Sequence, residues 1–365
     1  MDRDAILHNF AQLRGYVAGP KIAAVVKGNA YGHGLPEVVS ILDESADYFQ
    51  IDDLDELREL RKISAKPVLL LGYVAKAAIE EALALGCELA IYDVERLPVL
   101  QKAADSGKPV RIHLKIDALL GRQGLLPTEL DDFLAELRHY PGIELVAAYA
   151  HFANIEDTTD LGHALAQAQL FEFCHRKIAD AGWPNLGRHL SATSGLMTIE
   201  GSGVPNDIVR LGVGLYGLYP SAALARTHAD LGLRPAMRWV SHLAQVKILP
   251  VGHPVGYGLT FIAPREIRIG IVPQGYADGF DRGLSNVGEV LVRGRRCSVL
   301  GRVAMNMFAA DLSALPDAQA EDEVVLLGRQ GGQEITAEEI AFRIGTINYE
   351  VTTRTSPLLP RSVSE

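Results

Sequence analysis

The chain has 365 residues, 48% hydrophobic and 22% charged, which is ordinary for a globular protein with room for two domains. Its formal net charge of −10 argues against the basic face that a nucleic-acid partner requires. Three cysteines (Cys87, Cys174 and Cys297) with no C-x-x-C spacing exclude a disulfide framework and a cysteine zinc site, and fit buried thiols in a reducing compartment.

The amino terminus, MDRDAILHNFAQLRGYVAG, is polar and helical in pattern. It lacks a basic segment followed by an apolar core, so no secretion signal is expected. No apolar run is long enough for a bilayer, so no membrane contact is expected and the cytoplasm is the expected location. The next segment, IAAVVK (22–27), reads as a strand that stops on a charge. Lys27 is either a strand-end lysine reaching into solvent or a reactive amine at the lip of a core, and lysine is rarely buried unpaired.

Further β-rich runs follow at 47–51, 67–72, 87–92, 109–116, 143–150, 186–191 and 207–214. Helical spacing fills most of the gaps. In DDLDELRELRKIS (52–64) Leu54, Leu57 and Leu60 recur every three residues among charges. Residues 93–107 open on a capping Asp and close on Gly. Residues 127–139 open with Pro-Thr-Glu, acidic where the helix dipole prefers it. Strand–helix alternation with eight strands predicts a closed (β/α)8 barrel over residues 1–222. An open doubly wound sheet would place G-x-G-x-x-G after an early strand, and GNAYGHG lacks that spacing. From about residue 223 to 365 short strands and glycine turns predict a mostly β domain, with only Ala337–Ile344 patterned as helix.

Barrel enzymes carry their reactive groups at the carboxyl ends of the strands. Lys27 ends the first run, Lys115 and Asp117 follow the fifth, His151 follows the sixth, and Arg210 lies in the eighth. Taken singly, His151 reads as a core histidine and Arg210 as an ion-pair partner; together they point to a site. A lysine with a displaced pKa in such a mouth can form a Schiff base.

AVVKGNAYGHG closely resembles the cofactor signature of alanine racemases, pyridoxal-phosphate enzymes. The resemblance continues through HLKIDALLGRQG, AYAHFAN, VRLGVGLYGLYPS, VGYGLTF, QGYADGFDRGLSN, VLGRVAMNM and IGTINYEV, in that order. It implies that Lys27 carries pyridoxal 5′-phosphate and serves as the base on one face of the substrate. It implies that Tyr257 is the base on the other face, contributed by the second subunit of a homodimer. A phenol with a pKa of about 10 is a poor base at neutral pH. By resemblance, His151 and Arg210 link the tyrosine to the ring nitrogen. Tyr31, Thr193, the backbone amides of Gly212 and Val213, and Tyr349 match the phosphate site. Arg122 would grip the substrate carboxylate as a bidentate fork. Met305 would add a backbone amide from the partner subunit. Lys115 matches a lysine that is carbamylated in some members; whether it is so here is open.

This sequence departs from the family at Asn306, where Asp is usual, at Ala118-Leu119-Leu120, where Thr-Gly-Met is usual, and in His189-Leu-Ser-Ala-Thr-Ser-Gly195, which lacks the common Asn-Ser pair. The short first strand usual before the DRDAI-like helix is also missing. The resemblance implies racemisation of alanine, with D-alanine supplied for peptidoglycan. The alternatives are a serine or broad-specificity racemase of the same fold, and a non-catalytic pyridoxal-phosphate-binding barrel. The second lacks a β domain with its tyrosine, and this chain has both.

Overall fold

Eight strands lie parallel in chain order: β1 (Lys21–Val25), β2 (Tyr48–Ile51), β3 (Val68–Leu70), β4 (Glu88–Ile91), β5 (Val110–Lys115), β6 (Ile143–Tyr149), β7 (Gly187–His189) and β8 (Ile208–Leu211). The computed structural model describes residues 1–17, 19–199 and 204–364. β8 returns to pair with β1, Ala23 opposite Arg210. Between β7 and β8 the ring is closed by single backbone bonds, Asp207 N to Arg188 O (2.8 Å) and Arg210 N to Ser191 O (3.1 Å). The result is the expected (β/α)8 barrel. In β1, Ile22 to Val25 are all buried, as in a parallel strand covered on both faces.

The helices follow their apolar stripes. Leu54–Arg61 starts where the Asp53 carboxylate accepts from Glu56 N (2.9 Å), and it buries Leu57 and Leu60. Truncating either leucine to alanine would cost about 2–5 kcal/mol. The 93–107 segment is a 3₁₀ turn capped by Asp93, then helix Leu97–Asp105 with Leu97, Leu100 and Ala103 buried, ended by Gly107 at φ 84°.

Every strand is shorter than its apolar run, and at β1 and β8 the difference bears on the site. β1 ends at Val25, so Lys27 lies two residues beyond it rather than at its end, because the chain turns left-handed from Gly28 onward. β8 ends at Leu211, because Gly212 leaves the extended region (φ −107°, ψ −106°) and Val213–Tyr216 coils into a 3₁₀ turn.

The chain divides into two compact units, one of Asp4–Ala30 and Leu35–Arg234, the other of Met1–Arg3, Tyr31–Gly34 and Pro235–Glu365. The second is built on antiparallel strands β9 (Trp239–His242), β10 (Gln245–Leu249), β11 (Pro254–Val255), β12 (Phe261–Ile262), β13 (Ile267–Val272), β14 (Glu289–Val292), β15 (Arg295–Leu300), β16 (Phe308–Asp311), β17 (Glu323–Gln330) and β18 (Gln333–Ile335). The main sheet runs β10-β13-β16-β15-β14-β17-β18, with β9 also on β17; β11 and β12 form a separate hairpin. Leu249, Val255, Ala263, Ile267, Ile269, Leu300 and Ala309 pack into one core. Helix Ala337–Ile344 forms as expected, capped by Thr336 and Gly345. It is not the only helix of this unit: Asn348–Thr353 is helical despite its β-branched residues, with Val351 and Thr352 buried.

Candidate active site

Lys27 opens a single left-handed turn. Gly28, Asn29, Ala30 and Tyr31 all have φ between 53° and 62°. Three of these are not glycine, and each such residue costs about 1–2 kcal/mol in that region. The turn is held from outside: the Glu56 carboxylate accepts from Gly28 N (2.6 Å), Asn29 N (3.3 Å) and Asp52 N (2.8 Å). Asn29 Oδ1 accepts from Leu35 N (2.8 Å), which fixes the exit. Burial pushes the Glu56 pKa up, and the three amides oppose that. The Lys27 ammonium, half-exposed, lies 3.3 Å from Asp52 Oδ1.

Lys115, the last residue of β5, is buried, and its pKa falls to about 8, first through burial and then through the positive charges of Arg122, Arg210 and Lys27. Asp117 accepts from the amides of Leu120, Gly121 and Arg122 at 2.9–3.1 Å. It thereby folds the Ala118-Leu119-Leu120 loop that presents the exposed Arg122. His151 follows β6, and its pKa drops to about 3 through burial and then the charges of Arg210, Arg122, Lys115 and Lys27. It is neutral at physiological pH.

Arg210 is buried in β8. Nη1 donates to His189 O (2.5 Å) and His189 Nδ1 (3.0 Å). Nη2 donates to Ala150 O (2.8 Å), Leu190 O (3.0 Å) and His151 Nδ1 (3.2 Å). Burial and the charge of Arg122 bring its pKa down to about 10, so it stays charged at neutral pH. Because arginine only donates, Nδ1 of both histidines must accept. Thr193 opens the helix Thr193–Ile199, and its Oγ1 accepts from Gly212 N (3.1 Å). A Cβ at Gly214 would lie 2.8 Å from Thr193 Cγ2, so glycine is required for this close approach.

Within the second unit, Tyr31 and Tyr349 approach with ring centroids 6.3 Å apart. Tyr257 sits on a 3₁₀ turn between β11 and β12, and Met305 on the β15–β16 loop; both line one open groove of about 600 Å³. Tyr257 is 73% exposed and Met305 55%, beside exposed Leu259, Ile262 and Met307. A Cβ at Gly275 would sit 2.3 Å from the carbonyls of Ala304 and Met305, so glycine is needed behind that loop. Asn306 is exposed on it.

Residues 1–220 match the family described as alanine racemase, N-terminal domain, and residues 236–363 match alanine racemase, C-terminal domain. The chain belongs to the alanine racemase family. It is 37% identical to the biosynthetic alanine racemase of Pseudomonas aeruginosa, covering 100% of this chain and 98% of that protein. It is 35% identical to the alanine racemase of Symbiobacterium thermophilum, covering 99% and 95% respectively. Its fold matches the crystal structure of the alanine racemase from D-cycloserine-producing Streptomyces lavendulae with a TM-score of 0.93 at 32% identity, covering 100% of this chain and 96% of that one.

For an alanine racemase, two parts of this barrel were hidden in the sequence. The Glu56 clamp on the Lys27 turn reads as one charge among many on an amphipathic helix. The polar interior behind Arg210, with His189, His113 and Glu88, falls inside runs that read as apolar strands; a charged or ring-nitrogen residue at an otherwise buried strand position is the signal that could have marked it.

Proposed function

We propose that the protein is a pyridoxal-phosphate-dependent alanine racemase that interconverts L- and D-alanine, supplies D-alanine for peptidoglycan, and works in the cytoplasm as a homodimer. In this reading the barrel domain, residues 1–222, holds the cofactor and the β domain, residues 223–365, contributes the second base. The observation that carries it is Lys27 on a clamped turn beside the β8 strand that bears the buried, donor-only Arg210.

The residues fit the cofactor on the chemistry of their donors. Lys27 offers a primary amine. Among the described residues Arg210 Nε has no hydrogen-bond partner, while both terminal nitrogens are engaged, so one N–H remains for a ring nitrogen. Thr193 and the amides of Gly212 and Val213 gather at the end of β8, where backbone and hydroxyl donors suit an anion. Tyr31 and Tyr349 are assigned to the same phosphate. When bound, the cofactor supplies the electron sink that makes the α-proton of an attached amino acid removable.

The chain's own groups do the rest. Lys27 Nζ binds the cofactor and, once free of it, takes or returns the α-proton on one face. Tyr257 of the partner subunit does so on the other. His151 Nδ1 accepts from Arg210, so its proton is on Nε2, where it can donate to a phenolate oxygen and favour it. Arg210 keeps its proton and leaves a ring nitrogen unprotonated. Arg122 orients the substrate carboxylate, with the amide of Met305 of the partner subunit. The exposed apolar side chains around Tyr257 support burial against a second copy. No helix among the described residues is long and apolar enough to cross a membrane.

The test is chiral analysis of products from the cofactor-loaded protein offered a panel of L-amino acids. Alanine is expected to racemise fastest. Absence of alanine racemisation overturns the reading. Serine or larger substrates turning over faster than alanine would favour the broad-specificity alternative, to which the uncharged Asn306 points.

A further inference from the structure

Behind Arg210 the barrel interior carries polar groups that the proposed reaction does not employ. His189, the last residue of β7, puts Nε2 2.8 Å from His113 Nδ1 in β5. His113 Nε2 lies 2.6 Å from Glu88 Oε2, at the start of β4. Glu88 also accepts from Tyr48 Oη at 3.0 and 3.1 Å and faces Arg111 Nε at 3.2 Å. His189 is 1% exposed, His113 1% and Glu88 6%, where a barrel of this type normally stacks branched aliphatic side chains.

The two ends dictate every proton between them. Arg210 can only donate, so His189 Nδ1 accepts and the proton of the neutral ring is on Nε2. His113 Nδ1 must then accept, which puts the His113 proton on Nε2, facing Glu88. The carboxylate can only accept, and it closes the row. No alternative arrangement leaves all three contacts satisfied.

We propose that Glu88 and His113 are positioning residues for the Arg210 guanidinium, acting through His189 by a one-way hydrogen-bond chain that ends on a buried carboxylate. This rests on the reading that Arg210 serves the cofactor ring. The chain fixes the plane of the guanidinium through Nη1, and Glu88 sets a negative charge against the buried cation. His189 faces Arg210 and His113 and stacks on Tyr149 at 4.7 Å; Arg210 also faces His151 and Tyr149; Glu88 faces Tyr48 and Arg111. Burial, then the charge of Arg210, holds the His189 pKa well below its ordinary value. Burial works against the Glu88 carboxylate, yet His113, Arg111 and Tyr48 together carry it below the usual range. Both directions agree with a neutral His189 and an ionised Glu88.

Two measurements on the cofactor-loaded protein test this. Neutron diffraction from deuterated crystals is expected to show deuterons on Nε2 of His189 and His113 and none on their Nδ1 atoms; a deuteron on either Nδ1 overturns the chain. The variant Glu88→Gln keeps an oxygen to accept from His113 and removes the charge, while its amide nitrogen takes the place of the oxygen that faces Tyr48 and Arg111. It is expected to lower kcat for alanine about tenfold at little change in KM, and to change the absorption spectrum of the bound cofactor and its pH dependence. A merely structural role would lower the melting temperature and leave kcat and spectrum at wild-type values, and that result overturns the proposal. If the wild-type protein does not racemise alanine, the functional reading fails by itself, while the deuteron positions and the cofactor spectrum still decide this inference.

Discussion

At the scale of single residues, the charges around the barrel mouth are unbalanced, and Lys115 registers it. Its pKa stands at about 8 against an ordinary 10.5. Below pH 8 the group is charged in both the folded and unfolded chain, and the folded state bears the full burial penalty. Between about pH 8 and 10.5 the unfolded chain binds more protons than the folded one, so this group makes stability rise with pH there. The span is on the order of 3 kcal/mol. Thermal unfolding of wild type and Lys115→Met in bicarbonate-free buffer should therefore diverge: the wild type gains on the variant as pH climbs through that window. Parallel curves would mean the ammonium is not held in this environment. Lys27 makes a separate prediction. Borohydride treatment of the cofactor-loaded protein should attach the cofactor to the peptide containing Lys27, read by mass spectrometry, and an adduct on Lys115 or another lysine would refute the assignment.

At the scale of elements, the Lys27 turn depends on a helix that follows it in the chain. Three backbone amides, two of them in the turn, end on the one Glu56 carboxylate, and without them the left-handed residues 28–31 lose much of the compensation for their strain. Glu56→Ala should destabilise the protein by about 1–3 kcal/mol. It should also speed hydrogen exchange at Gly28 and Asn29 far more than in the strands; unchanged protection at those amides would show that the turn holds itself. The eight-strand order was legible because apolar runs alternate with leucine stripes of helical period, and the caps at Asp93 and Gly107 sit where sequence logic puts them. The left-handed turn was not legible, since only Gly28 announces it while Asn29, Ala30 and Tyr31 follow by tertiary constraint. Nor was the chain from Arg210 to Glu88. In strands buried on both faces, period-two alternation no longer says which side chains meet inside the barrel. The helix Asn348–Thr353 escaped notice because tertiary burial of Val351 and Thr352 overrides the weak helix propensity of NYEVTT.

At the scale of the whole molecule, the proposed mechanism divides its two bases between subunits, and this can be tested without a structure of the dimer. Tyr257 lies on an exposed turn among exposed Leu259, Ile262, Met305 and Met307, a surface whose burial a second copy would supply. Lys27→Ala removes one base and Tyr257→Phe the other, the latter keeping the aromatic body so that packing is little changed. In a mixed dimer one site inherits both lesions and the other inherits neither. Two nearly inactive preparations, mixed in equal amounts and allowed to exchange subunits, should reach about a quarter of wild-type alanine racemisation per site. Alone, Tyr257→Phe should also discriminate between enantiomers. With Lys27 intact, solvent deuterium should still enter one enantiomer of alanine, while exchange from the other falls by a factor of about 10²–10⁴. Exchange lost equally from both would mean that one base serves both faces. If the mixture stays at parental activity although exchange is demonstrated by differently tagged subunits, each chain must complete its own site, and the assignment of Tyr257 to the partner subunit falls with it.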